Sequence, residues 1–346
     1  MNEFERRSSI DLPGYGEAME AARKKEEAEA VETAHRNMEG FIGRLESLSK
    51  FKKASTTEEG VESLRSREDE QFFVKRIENH NDPMVREIWQ MMRDEFGDEA
   101  DPLYWVKESI KQGINKYDVI TGPDGKIISF SNSRYLEMDP VDGKPPESLV
   151  YMAFILTDEE HRRQGMATEL NRKLSQGALE QAKQEGHAVR GMVGESTETS
   201  EKFWNKLGEK RVYFEDGEGN IHEVPYKAPP CDYDDNTGEP LLEGALEHLM
   251  VNMFDGGGEL KAGDLVRIAK TIYFEEYGAE PEDYASKKAW QRTQEVLVGY
   301  LREFEQSLAG AKDGRVFLMS EAERNQKEES LKSKGKEVVE VKIAEE

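Results

Sequence analysis

Apolar residues fall along this chain in two regimes. Over residues 1–69 they are sparse and set among charges. One short stripe, Phe41, Ile42, Leu45 and Leu48, recurs at helical spacing inside an Ala/Glu/Lys/Arg-rich stretch. That stretch, 16–50, predicts an exposed helix whose stripe makes a weak packing or partner contact, and 54–70 predicts a flexible linker. From Gln71 the pattern tightens. Residues 72–77 (FFVKRI) read as a strand. Residues 83–96 place Val85, Ile88, Trp89, Met92 and Phe96 on one helical face. Asp82 stands at the N-cap position and Pro83 at the first helical position. A second helix is expected over 102–112.

Residues 117–120 and 126–136 flank the turn Gly122-Pro123-Asp124-Gly125, which reads as a hairpin. A polar loop, 139–146, leads to the unbroken apolar run 149–156, expected to be a buried central strand. A long helix over 163–185 ends at Gly186, and a strand follows over 187–193. Ser196 or Thr197 then caps a helix closed by Gly208. Strands 210–215 and 220–226 complete the series around Asp216-Gly217-Glu218-Gly219. The order β-α-α-β-β-β-α-β-α-β-β predicts an α/β (α+β) domain with a mixed central sheet flanked by helices. A doubly wound sheet is disfavoured because a three-strand meander precedes the first β-α-β unit.

Past Pro229 the turn-rich residues 232–240 read as a linker. Helices are expected over 241–254, 262–277 and 284–308, a small helical bundle or lid, and the chain is Glu/Lys-rich from Glu321. The expected organisation is an extension, 1–70; an α/β domain, 71–228; a helical bundle, 240–310; and a charged flexible tail, 311–346.

Composition narrows the function classes. Of 346 residues 36% are hydrophobic and 35% charged, and the formal net charge is −24. Such a chain repels phosphate backbones and anionic lipid, so nucleic-acid and membrane-surface partners are not expected. Any local basic cluster is informative for that reason. Cys231 is the one cysteine, which excludes an intrachain disulfide and a Cys-based zinc site. The six His lack metal-ligand spacing, and Asp255-Gly256-Gly257-Gly258-Glu259-Leu260 lacks the alternating oxygen ligands of a calcium loop, so no metal is expected. No apolar signal segment and no run of about 18 apolar residues occurs, and a cytoplasmic protein is expected.

The basic cluster lies between the apolar run and the long helix, in Thr157-Asp158-Glu159-Glu160-His161-Arg162-Arg163-Gln164-Gly165-Met166-Ala167-Thr168. Small residues at Gly165 and Ala167 let a ligand approach the backbone closely. The first-turn N–H groups lack intrahelical acceptors and sit at the positive end of the helix dipole. With Arg162 and Arg163 as cationic donors, the loop suits a pyrophosphate.

The pattern Arg162-x-x-Gly165-x-Ala167 between a buried strand and a long helix resembles the GNAT acyltransferase superfamily. A second signal follows about thirty residues on: a strand, then Phe203-Trp204-Asn205-Lys206-Leu207-Gly208. The resemblance spans about 155 residues and leaves 1–70 and the chain beyond 228 outside. It implies that the family's fourth and fifth strands splay apart and admit the pantetheine arm of acetyl-CoA. Ile155, Leu156 and Thr157 would then lie along the arm. Arg162, Arg163, Gln164, Gly165, Met166, Ala167 and Thr168 would hold the pyrophosphate. The implied reaction is direct attack of an acceptor amine on the thioester, with a carboxylate base and an acid for the leaving thiolate.

Three positions depart from the family pattern. Trp204 stands where many members carry a Tyr acid, and an indole N–H cannot serve as one. Tyr213 is the substitute acid. Thr197 replaces the family's Asn near the fifth strand, where its hydroxyl can still bind the cosubstrate. The fourth strand carries no carboxylate, which leaves Glu195 as the leading base and Glu137 as the runner-up. The alternative reading is an acyl-CoA-binding interaction protein of weak or no turnover. The helical bundle would cover the acceptor site or mediate a homodimer.

Overall fold

The computed structural model describes residues 15–57, 60–66, 70–97, 100–197, 200–230, 233–278, 281 and 284–331. Cys231 and the end of the charged tail lie outside them. The described strands form one mixed sheet in the order β1-β2-β3-β4-β5-β6-β7-β11-β8-β13-β12, with β9 beside β8 and β10 beside β11. Its first half is an antiparallel series: β1 (Lys52–Thr56), β2 (Glu62–Arg65), β3 (Gln71–Ile77), β4 (Asn115–Thr121), β5 (Ile127–Glu137) and β6 (Glu147–Thr157). One parallel step joins β6 to β7 (Ala188–Ser196). The second half holds β8 (Lys210–Glu215), β9 (Ile221–Glu223), β10 (Tyr226–Lys227), β11 (Leu246–Met253), β12 (Glu259–Lys261) and β13 (Arg315–Met319).

Helices cover both faces. On the first face α1 (Tyr15–Leu48), α4 (Met166–Glu185) and α5 (Glu201–Leu207) share a core with Val150, Met152, Met192 and Met250. On the second face α6 (Ala262–Thr271), its π-helical continuation Ile272–Glu276 and α7 (Lys287–Ser307) pack on Leu149, Tyr151, Val193 and Val251. Helices α2 (Pro83–Phe96) and α3 (Leu103–Gln112) cover Tyr117, Val119 and Phe130. The Asp82 carboxylate accepts from the Met84 amide with Pro83 in the first turn, so the predicted start of α2 is the observed one. No described helix is long and apolar enough to cross a membrane.

The mixed sheet and flanking helices are those expected, but its extent is larger. Residues 54–70, expected as a linker, supply most of β1 and all of β2, paired antiparallel. Their sequences, KKAST and ESLR, carry almost no apolar alternation, and Leu64 is the one deeply buried apolar side chain in them. The apolar stripe of α1 is core: Phe41 and Leu45 are at most 2% exposed, whereas Leu48 faces solvent.

The helix expected over 241–254 is corrected to a strand. Residues 246–253 form β11, wedged between β7 and β8. Leu249, Val251 and Met253 face the second core while Met250 faces the first, a two-residue period that burial on both faces disguises. The expected bundle reduces to α6 and α7, laid on the sheet, and Arg315–Met319 of the expected tail is β13, paired with β8 and β12. The sheet therefore runs through both expected boundaries, at 70 and at 228.

Candidate functional site

The sheet opens at its one parallel step. Pairing between β6 and β7 runs from Glu147↔Ala188 to Met152↔Gly194 and ends there. Beyond it β6 stays with β5, through Ile155↔Ser131 and Thr157↔Ser129, whereas β7 stays with β11 through Glu195↔Leu249 and Ser196↔His248. A register shift against β5 leaves Ala153 as the extra residue of a β-bulge, which bends β6 away where the fork begins. The residues Ala153 to Thr157 along the open edge are only partly buried, unlike Leu149 to Met152 before them.

The predicted phosphate loop stands at the mouth of the fork. A 3-10 turn, Glu159–His161, carries the chain from β6 into Arg162–Gly165 and then α4. Arg163 has φ 67° and Gly165 φ 100°, so two of three successive residues adopt left-handed backbone before the helix starts. At Gly165 that conformation is free of a Cβ clash, which explains the glycine. Arg162 and Arg163 are exposed; Arg162 Nε donates to the Thr157 carbonyl at 3.1 Å. Gln164 Nε2 donates to the Glu160 carbonyl at 3.3 Å. Met166 and Thr168 turn into the core and Ala167 is partly buried, leaving backbone rather than side chains at this end of α4.

A third cation reaches the loop from the extension. Lys50 Nζ donates to the Arg163 carbonyl at 2.5 Å, and its stem passes 3.3 Å from where a Cβ on Gly165 would lie. The extension also anchors α4 from below. Arg172, 5% exposed, bonds Glu62 of β2 and Glu169 of α4, each at 2.7 Å, and Ser49 Oγ donates to Glu169.

At the apex, on the second face, Glu195 receives three phenolic hydroxyls. Tyr151 donates at 2.7 Å, Tyr226 at 2.5 Å, and Tyr277, just past the π-helical turn, makes the third bond. Burial raises the carboxyl's pKa, and the hydroxyls of Tyr226, Tyr277 and Tyr151 pull it back toward ionisation; the net shift is upward. Burial and the nearby carboxylate push all three phenols well up, so they remain donors. Beside them Glu276 pairs with Arg134 at 3.2 Å, and burial lifts its pKa to about 7. The site thus gathers β5, β6, β7, β10 and the segment after α6.

The other expected residues lie elsewhere. Thr197 directly follows β7, exposed, with its carbonyl accepting from the Ser200 amide. Tyr213 is not brought to the fork. It lies on β8 between β9 and β13, with β11 interposed between β8 and β7, and burial lifts its phenol to about 12. Glu137 is exposed opposite Ser148, near the closed end of β6. There it meets Glu185 and His187, the one group of three metal-capable side chains among the described residues, their ligand atoms within 4.8 Å of one another. Trp204 is buried, with no hydrogen-bond partner for its indole N–H. Tyr151, Tyr226, Tyr277, Glu276 and Arg134 were not foreseen, because no local motif joins residues spread over 144 positions. The one sequence signal for them is a tyrosine or carboxylate at the edge of an apolar run.

No family model matches the chain, and no curated protein matches it. Solved structures similar to parts of it include Arabidopsis thaliana NAA60 in complex with acetyl-CoA, at 14% identity and TM-score 0.38, covering 54% of this chain and 99% of that one. An aminoglycoside acetyltransferase from an uncultured soil metagenomic sample, in complex with sisomicin, is similar at 16% identity and TM-score 0.31, covering 40% of this chain and 85% of that one.

Proposed function

We propose that this protein is an N-acetyltransferase that moves an acetyl group from acetyl-CoA to an amine by direct attack in a ternary complex. The observation that carries the reading is the fork between β6 and β7, with a cationic helix start at its mouth and a tyrosine-held carboxylate at its apex. The donor set fits the cosubstrate. Backbone amides of Gly165 to Thr168, with Arg162, Arg163 and Lys50, suit a pyrophosphate. The open edge of Ala153, Phe154, Ile155, Leu156 and Thr157 offers main-chain groups and apolar side chains to an amide-bearing arm, as an added strand would.

A backbone N–H of that edge is positioned to polarise the thioester carbonyl. On the second face Glu195 accepts the proton of the acceptor amine, directly or through one water. Its three tyrosines fix the carboxylate and leave one of roughly four lone-pair sites for that proton. Glu276, close to neutral pH in its pKa, adds a second acidic group beside the incoming amine. Much of the rate then derives from holding amine and thioester in line.

Thiol release from acetyl-CoA, followed colorimetrically against terminal-amine peptides, lysine peptides, polyamines and aminoglycosides, tests the reading. Release that needs an acceptor and disappears in Glu195→Gln supports it. Acetyl-CoA binding without release for every acceptor supports an acyl-CoA-binding interaction protein instead.

A further inference from the structure

The mechanism leaves one buried acid unused. Glu209 lies between α5 and β8, is fully buried, and has no hydrogen-bond partner at either carboxylate oxygen. Its Oε2 stands 3.7 Å from the place a Cβ would occupy on Gly194, the last β7 residue paired with β6. That direction is the first face: Met192, two residues earlier, packs with α1, α4 and α5, whereas Val193 faces the opposite core. Glu195, one residue on, is held by tyrosines of the second face. The apex of the fork therefore has a carboxylate on each side of the sheet. The one on the first face shares that side with α4, whose start is the phosphate loop.

Other unpartnered polar atoms belong to the elements that flank Glu209. The indole N–H of Trp204, Asn205 Oδ1, Asn252 Nδ2 and Arg211 Nε are buried without partners. They belong to α5, β11 and β8, which meet here: the Glu209 amide bonds the Trp204 carbonyl at 3.1 Å, and Asn252 Nδ2 lies 3.2 Å from a Cβ position on Gly208. Arg211 is engaged through its terminal nitrogens with Glu201 and Glu223. Buried polar atoms in native proteins are nearly always paired, so an orphan carboxyl beside the point where β6 and β7 part points to a group that arrives with the ligand.

We propose that Glu209 is the proton donor to the thiolate that leaves when acetyl-CoA is consumed, a role that rests on the acetyltransferase reading. The arm enters at the start of α4 on the first face and ends at the apex, which brings its sulfur to Glu209. The acceptor nitrogen bonds to the acetyl carbon as the carbon–sulfur bond breaks. The nitrogen's proton goes to Glu195, and the proton of the neutral Glu209 carboxyl goes to sulfur, giving amide and free thiol. Solvent then restores both groups. Burial alone raises Glu209 to about 8, so it carries its proton at neutral pH and nearly matches a thiol of about 8.5. This also accounts for Trp204 and Tyr213: one has no acidic proton, the other lies off the fork, and the acid is the residue that follows the Gly208 cap.

Glu209→Gln and Glu209→Asp, checked for cooperative melting, are compared with the wild type for acetyl-CoA binding by calorimetry and for kcat against pH with the best acceptor found above. The expected Gln variant binds acetyl-CoA within threefold of wild type. Its kcat falls about 10²-fold or more, and it loses the wild-type decline of kcat on the alkaline side. The Asp variant regains part of both. Normal kcat and an unchanged alkaline limb in a folded Gln variant would overturn the assignment while leaving the acetyltransferase reading standing. A wild type that binds acetyl-CoA and transfers to no amine overturns both together.

Discussion

Replacing Tyr277 by Phe removes one of three hydroxyls on Glu195 and leaves the ring in place. Tyr277 is the best of the three to change, because it is only partly buried whereas Tyr151 and Tyr226 are 3% and 1% exposed. A hydrogen bond to a charged group contributes roughly 1.5–3 kcal/mol. The bond exists in full only with the ionised carboxylate, so its loss raises the Glu195 pKa further and lowers activity on the acid limb by about ten- to a hundredfold, at about 1.4 kcal/mol per factor of ten. As base, Glu195 must be ionised, and activity rises with pH through its pKa. The acid limb of kcat/KM therefore moves to higher pH in Tyr277→Phe. The high-pH plateau falls much less, and Glu195→Gln shows no release at any pH in the range. Initial rates of thiol release across pH 5 to 9, with acetyl-CoA saturating, read this directly. An unmoved limb with normal plateau activity would refute the claim that this carboxylate takes the proton.

Three further outcomes follow from the packing. Arg172→Met takes the cation from the buried carboxylate of Glu169, leaves Glu62 to Lys173 and Lys53, and should destabilise the fold by about 3 kcal/mol in denaturant titrations. Loss of less than 1 kcal/mol would mean that the extension does not hold α4 through this cation. A chain ending at Ala228, the domain boundary the sequence suggests, lacks β11, which lies between β7 and β8. It should show no cooperative thermal transition, and a sharp one would make residues 229–346 a dispensable addition. Glu209, raised by burial from 4.5 to about 8, favours the folded state only while protonated. That contribution is complete below about pH 4.5 and is lost as pH rises to about 8, on the order of 4 kcal/mol. Glu209→Gln should therefore flatten the decline of stability over this range, and parallel wild-type and variant curves would count against a neutral buried carboxyl.

What was legible in the sequence is what local pattern encodes. The apolar run 149–156, the Asp82–Pro83 start and Gly186 gave β6, α2 and the end of α4 nearly as found. The loop Arg162–Gly165 stood out as a candidate anion site because strand, glycine and helix start are contiguous. Glu195 was readable as a carboxylate at the end of a strand, but its tyrosines were not, since they come from β6, β10 and the residue after the π-helical turn. β11 was misread because both its faces are buried, which erases the alternation that marks a half-buried strand. β1 and β2 were missed for the opposite reason, as their polar sequences become strands only by pairing, β2 with β3 and β1 with β2. Glu209 gave no signal, because a carboxylate after a helix-capping glycine is ordinarily exposed, and only the folded core shows that it is not.

The central claim is that the fork between β6 and β7, with the loop Arg162–Gly165 at its mouth, binds acetyl-CoA. Calorimetry of acetyl-CoA with the wild type and with Gly165→Glu tests it. The variant places bulk and negative charge at the helix start, at a left-handed position that costs a non-glycine residue about 1–2 kcal/mol, so its fold is checked by melting. Saturable binding to the wild type and none to the folded variant are expected. Equal binding by both, or none by a folded wild type, would contradict the claim.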